Sequence, residues 1–174
     1  MNNQPAKTSA RWVRGGGGTI LGLAALLTVA YPPSLGAASP AVAKSSDIEL
    51  TDPQAQAEQF IRYYHTITLT ATQQEIKRQA LETLPAPCCR DYPALTCCCQ
   101  CNVSKSVWGL SHYLIAKKGY DAVQVRATVE RWLRFVNPSG FSGDACYTGG
   151  CGRAFDKNGC GGMTEAHVVA RSGQ

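Results

Sequence analysis

Residues 88–101 read CCRDYPALTCCCQC. Cysteine fills six of these fourteen positions, and four of the five from Cys97 to Cys101. No apolar core calls for sulfur packed so densely along one stretch of chain. The segment therefore points to thiol chemistry: metal capture, thiol–disulfide exchange or disulfide stapling. It also divides the chain. Pro85, Pro87 and Pro93 keep it out of helix and hold it extended, whereas helical periodicity runs on both sides of it.

In an extended chain successive side chains alternate faces, so Cys97, Cys99 and Cys101 share one side and Cys98 takes the other. Three sulfurs on one side can lean toward a single soft ion. Direct neighbours do not readily pair with each other. Their Cα atoms lie about 3.8 Å apart, whereas a disulfide wants roughly 4.4–6.8 Å in a defined orientation. Cys98 and Cys101 also form a C-x-x-C, and a helix opening just after them favours thiolate at its N-terminus.

Upstream, Asp52-Pro53 supplies an N-cap with proline in the first turn, and Ala57, Phe60, Tyr64 and Ile67 recur at helical spacing. The pattern predicts a helix over 53–66, with His65 at its exposed end. Thr72 and Glu75 match a capping box, so a second helix is expected over 73–84, ended by Pro85 and Pro87. Downstream, Asn102 or Ser104 can cap a third helix over 105–118, with Val107, Leu110 and Leu114 inward and Gly119 closing it. Asp121 caps a fourth over 122–136, whose stripe is Val125, Val129, Trp132, Leu133 and Val136 and whose stop is Asn137-Pro138. The short link between the last two predicts an antiparallel helical hairpin. The fold class is thus mainly α. It is a small helical domain with a hairpin after a Cys-rich extended segment and a Gly/Cys-rich C-terminal loop.

That loop, residues 139–162, holds eight glycines and three cysteines with no apolar period. A core cannot order such a segment, which leaves disulfides or a metal. Cys146, Cys151 and Cys160 therefore either complete a site begun by Cys97, Cys98, Cys99 and Cys101 or staple the loop. Cys88 and Cys89 read as further ligands, a redox relay or structural thiols. Nine cysteines is an odd number, so at least one is free, ligated or paired with another chain.

Residues 1–43 read as a secretory signal peptide. Arg11 and Arg14 flank an apolar run from Thr19 to Ala30, and Ala41-Val42-Ala43 is an A-x-A cleavage pattern. The run is too short to span a bilayer comfortably, so no transmembrane segment is expected in the mature chain. Arg11 and Arg14 are not adjacent, and no cysteine precedes Cys88, so neither a twin-arginine signal nor a lipid-anchored cysteine is supported. The organisation expected is signal peptide 1–43, flexible leader 44–51, Cys-rich helical domain 52–162 and a frayed tail 163–174. Past residue 43 fourteen basic side chains face twelve acidic ones, without a basic stripe, so nucleic acid is excluded as a partner. Location outside the cytoplasm, periplasmic or extracellular, is the expectation.

Thiolate-rich sites select soft or borderline ions, here Cu(I) or Zn. Only one C-x-x-C occurs, which departs from zinc-ribbon spacing, and no C-x-x-C-H supports covalent haem. Met163 and His167 are outside donors at most. His112, on the helix after the cysteines, is a packed or solvated residue before it is a catalytic base. Asp156-Lys157-Asn158-Gly159 reads as a turn, since it lacks the later acids of a calcium loop. No thioredoxin-type pattern surrounds Cys98 and Cys101, which weighs against an exchange enzyme.

The run Thr96-Cys97-Cys98-Cys99-Gln100-Cys101, with Lys105-Ser106 opening a helix, resembles a family of exported bacterial proteins known by a PCYCGC, or C-Y-C-x-C, motif. Cys97, Cys99 and Cys101 match its three cysteines. Cys98 stands where that family has tyrosine and Thr96 where it has proline, and no lipobox cysteine is present. The resemblance covers residues 85–136. It implies an exported protein with a cysteine-centred site and implies no substrate.

Overall fold

The computed structural model describes residues 48–173. The signal-peptide reading of residues 1–43, and the leader up to residue 47, lie outside the described residues. Helix α1 spans Pro53–Thr66, α2 Ala71–Leu81, α3 Asn102–Lys118 and α4 Ala122–Val136. Between α2 and α3 lies a two-stranded antiparallel ribbon, β1 Pro85–Ala86 and β2 Cys89–Pro93, paired Pro85 with Pro93 and Ala86 with Cys89. The C-terminal third carries only three single-turn helices, at Gly150–Gly152, Phe155–Lys157 and Glu165–His167.

Local chemistry accounts for the ends of α1 and α4. Asp52 accepts from the Gln54 and Ala55 amides, and Asp121 forms a reciprocal box with Gln124. The second helix begins two residues earlier than Thr72 and Glu75 suggest. Thr70 and Gln73 make the capping box instead: Thr70 Oγ1 accepts from the Gln73 amide at 3.3 Å, and Gln73 Oε1 from the Thr70 amide at 3.0 Å.

Helix α3 is the centre of the domain. Every residue from Asn102 to His112 is buried, more than a single inward stripe. Two of its serines are satisfied within the helix: Ser106 Oγ donates to the Val103 carbonyl and Ser111 Oγ to the Val107 carbonyl. One face lies against α1 so closely that a Cβ on Gly109 would come within 1.7 Å of the Phe60 carbonyl oxygen. On another face α4 returns antiparallel, as the short link predicts. Trp132, near the end of α4, donates its indole N–H to Ser106, near the start of α3, at 3.1 Å. Phe60 packs edge-on to the same indole, 4.9 Å between ring centres. A third tie joins three helices. Lys77 of α2 donates to His112 Nε2 at 3.0 Å, and His112 Nδ1–H donates to the Ile67 carbonyl that ends α1, at 2.9 Å. His112 is thus a packed structural residue remote from the sulfurs.

Both flanks carry residues tied to the helical core. Ile48 and Leu50 of the leader pack against the core, and the Ile48 carbonyl accepts from Arg131. In the tail, residues 168–170 are held. Val168 and Ala170 are buried, the Val169 carbonyl accepts from the Phe155 amide at 3.1 Å, and the Val169 amide donates to Gly161 at 3.0 Å. Apolar side chains at both flanks have core surface to cover, and burial of a valine or leucine is worth about 1.5–3 kcal/mol. Among the described residues no helix is long and apolar enough to cross a membrane.

Candidate metal centre

The site is assembled where β2, the turn before α3 and the C-terminal loop meet. Trp108 anchors the turn, its indole N–H donating to the Ala94 carbonyl at 2.7 Å. The Thr96 and Cys97 amides both fold back onto the Pro93 carbonyl, at 3.2 and 3.0 Å, and Cys97 takes a positive φ of 27°. A β-carbon makes that region unfavourable by roughly 1–2 kcal/mol, so the cost must be offset by what the turn positions. This turn overturns the extended, alternating geometry expected for Cys97–Cys101. The sulfurs of Cys97, Cys98 and Cys99 lie within 4.8 Å of one another, which a flat strand would not allow.

The loop reaches the same place from 50 residues away in sequence. The Arg90 amide donates to the Gly143 carbonyl at 2.7 Å, and the Cys146 amide to the Cys88 carbonyl at 3.1 Å. Gly143 has φ +72°, and a side chain there would meet Arg90 Cβ at 2.8 Å, so only glycine permits the approach. Farther along, the open N-terminus of α3 takes the loop as its cap. The Asn102 amide donates to the Gly162 carbonyl at 3.0 Å and the Val103 amide to the Cys160 carbonyl at 3.1 Å. Asn102 Nδ2 adds bonds to the Gly161 and Thr164 carbonyls, at 2.8 and 3.0 Å. These contacts start α3 at Asn102, three residues ahead of the expectation, with Cys101 as its N-cap residue.

Eight of the nine sulfurs converge. Cys88, Cys101 and Cys160 form a group with all three side chains buried. Cys97 joins it through Cys88, 3.2 Å away, and the Cys88–Cys101 separation is 3.5 Å. Cys89, Cys98 and Cys146 form a second group nearer the surface. Cys98 lies 3.4 Å from Cys146, and Cys99 3.8 Å from it. A third group, Cys88 with Cys99 and Cys146, connects the two. Cys151 is not brought in. It sits exposed on the Gly150–Gly152 turn and belongs to none of these groups. Met163 and His167 are likewise exposed and outside them. No two of the nine cysteine sulfurs stand at disulfide-bonding distance.

From the sequence Ser104 reads only as a candidate helix cap, and Tyr147 is not singled out. Ser104 Oγ lies 3.3 Å from the Cys101 sulfur and 3.8 Å from that of Cys88. Its place three residues after Cys101, at a helix start, is the signal that could have found it. Tyr147 OH lies 3.3 Å from the Cys89 sulfur and donates to Asp91 at 2.8 Å. Nothing local in the sequence marks it.

The electrostatics single out two sulfurs. Hydrogen bonds from the thiols of Cys160, Cys88 and Cys97 outweigh the burial that opposes ionisation, and the Ser104 hydroxyl adds to them. Together they hold Cys101 far below the ordinary thiol range. Its position at the positive end of α3 acts in the same sense. Cys89 is lowered as well: burial opposes its ionisation, but hydrogen bonds from Tyr147, Cys98 and the Asp91 backbone outweigh it. Four other thiols are raised. Cys88 is pushed up by its bonds to Cys101, Cys160 and Cys97 and by burial, and Cys160 by its bond to Cys101. Cys98 and Cys99 are raised chiefly by burial. The metal-free site therefore favours thiolate at Cys101 in the inner group and at Cys89 in the outer one, with Cys88, Cys98, Cys99 and Cys160 held as thiols.

Such an arrangement can hold a metal ion. At the 2.3 Å bond length of zinc to thiolate, the corners of a tetrahedron lie about 3.8 Å apart, close to the separations found here. The groups consist of sulfur alone, which disfavours hard ions such as calcium and magnesium. A cavity of about 270 Å³ beside β1 and α4, lined by Pro85, Arg90, Leu133, Asn137 and Phe141 among others, takes in none of these cysteines. Compared with protein-family models, curated proteins and solved structures, the chain matches none.

Proposed function

We propose that this is an exported protein that binds a soft, thiophilic metal ion, Cu(I) or Zn(II), through clustered thiolates. The observation that carries the reading is the all-sulfur group Cys88, Cys101 and Cys160, fully buried and brought together from the ribbon, the start of α3 and the C-terminal loop. Three sulfurs sequestered from water, one of them disposed to ionise, are a costly arrangement unless an ion gathers them. The signal-peptide features of residues 1–43 support export, to the periplasm or beyond the cell. The likeness of Cys97–Cys101 to the C-Y-C-x-C motif supports the same placement.

Elemental analysis and thiol counting on protein purified natively, without added metal, test the proposal. The expected result is a stoichiometric soft metal and thiols that become reactive only after chelation. Cysteines found in disulfides, with no ion bound, would overturn it. Disulfide reductase activity residing in Cys98 and Cys101 would replace it with an exchange function.

A further inference from the structure

Eight sulfurs are more than one soft ion can use. Zinc closes its shell with four ligands, and Cu(I) can be held by two or three. A single occupied site would leave at least four thiols crowded against it with nothing to bind. The sulfurs do not form two separate sites either. Cys88 belongs both to the buried group with Cys101 and Cys160 and to the connecting group with Cys99 and Cys146. Cys146 belongs both to that connecting group and to the outer group with Cys89 and Cys98. The backbone fixes these two shared residues to each other through the Cys146 amide and the Cys88 carbonyl.

From this connectivity we infer that the site holds a polynuclear metal–thiolate cluster of at least two thiophilic ions, with Cys88 and Cys146 as bridging thiolates. The inference rests on the soft-metal reading and goes beyond it in nuclearity. The inner ion takes Cys101 and Cys160 and the outer ion Cys89 and Cys98, with Cys88 and Cys146 shared between them, while Cys97 and Cys99 flank the pair. Charge favours sharing. A thiolate bridging two cations is better neutralised than one facing a single ion, and fewer thiolates must ionise for each ion bound. The short separations also favour ions bonded directly between cysteine sulfurs. An iron–sulfur cluster interposes iron and sulfide between its cysteines and spreads them farther apart. The two halves differ in access. Cys88, Cys101 and Cys160 are wholly buried, whereas Cys98 is exposed and Cys146 half-buried. The outer ion is therefore the exchangeable one.

The test is native mass spectrometry of the reduced, metal-free protein titrated separately with Zn(II) and with Cu(I). X-ray absorption of the loaded protein accompanies it. At least two ions per chain and a metal–metal scattering path are expected. Cys146→Ser, at a half-buried position that the fold tolerates, should lose at least one ion and the metal–metal path while keeping the inner ion. Circular dichroism confirms that this variant is folded. Saturation at one ion, or two ions with no metal–metal path, overturns the cluster and leaves the soft-metal reading standing. Failure to bind either metal overturns both.

Discussion

The sulfurs of Cys98 and Cys146 lie 3.4 Å apart although 48 residues separate them in the chain. One belongs to the turn before α3 and the other to a loop with no apolar pattern of its own. The loop is held at that point by backbone bonds to Cys88, Arg90 and the start of α3. An ion bound between the two segments would add to these bonds and so stabilise the loop against opening. Metal removal is therefore predicted to loosen the loop before the helices. Hydrogen exchange on the chelated protein should show lost protection at the Cys146, Cys160 and Asn102 amides, with α1 and α4 little changed. Equal protection with and without metal would mean that the loop is ordered by its packing alone.

The affinity for metal should rise with pH. In the metal-free state Cys101 and Cys89 are held low, while Cys88, Cys98, Cys99 and Cys160 are held high and keep their protons at neutral pH. Each ion that enters displaces protons. Linkage then gives about a tenfold gain in affinity per pH unit for each proton released. Competition against a chromophoric chelator between about pH 6 and 8 should give a slope of at least about two protons per inner ion. A flat profile would mean that the ligands were already ionised.

How much of this could be read from the chain depends on where each determinant lies. The bounds of α1 and α4 were legible because their signals are local: Asp52-Pro53 and Asp121 at the starts, Asn137-Pro138 at the later stop. The start of α3 was not. Its capping acceptors are the carbonyls of Cys160 and Gly162, about sixty residues downstream, and no local pattern announces them. The same reason hid the role of Cys88. Sequence places it beside Cys89, but its position between the buried group and the connecting group follows from the ribbon and from the loop that pairs with it. Cys146, Cys151 and Cys160 looked equivalent as cysteines of one glycine-rich loop. Backbone bonds then place two of them against the other thiols, while Cys151 rides outward on its turn.

That difference makes a direct comparison of serine variants informative. Cys151→Ser should leave metal stoichiometry and affinity unchanged, because its sulfur belongs to none of the groups within ligating reach. Cys160→Ser removes a wholly buried member of the inner group. It should weaken the inner ion at least tenfold, the scale of losing one bond of about 1.4 kcal/mol or more. Chelator competition on both variants checks the pair. Equal losses would show that the loop rearranges on binding to bring Cys151 in.

Gly109 is predicted to be the least replaceable glycine of the helical core. Its φ is ordinary for a helix, so conformational freedom is not the reason. A Cβ there would sit 1.7 Å from the Phe60 carbonyl oxygen and 2.8 Å from the Tyr64 amide nitrogen. Both are backbone atoms of α1 and cannot rotate away. Gly109→Ala must push α1 off α3 and should cost about 3 kcal/mol or more, despite alanine's better helix propensity. Urea unfolding of the metal-loaded protein measures it, and a neutral or stabilising result would mean that the two helices lie farther apart.

The last prediction concerns acid stability and involves no sulfur. Burial, and then the charge of Lys77, lower His112 to about 4 from its ordinary 6.5, opposed by its bond to the Ile67 carbonyl. Burial lowers Lys77 as well, to about 8. At neutral pH a charged Lys77 therefore donates to a neutral His112. Between pH 6.5 and 4 the unfolded chain takes up a proton at this histidine and the folded one does not. Stability consequently falls as pH falls through that window, by roughly 2 kcal/mol. The carboxylates held low, Glu75, Asp144 and Glu165, lose their contributions only from about pH 4.5 downward. His112→Gln can keep an acceptor for Lys77 and a donor for Ile67 without the titration. Denaturant melts of metal-free protein from pH 7 to 5 should show a slope for the parent chain and a flatter line for the variant. Parallel lines would place the histidine's titration elsewhere and remove the link between α1, α2 and α3 as the origin of acid sensitivity.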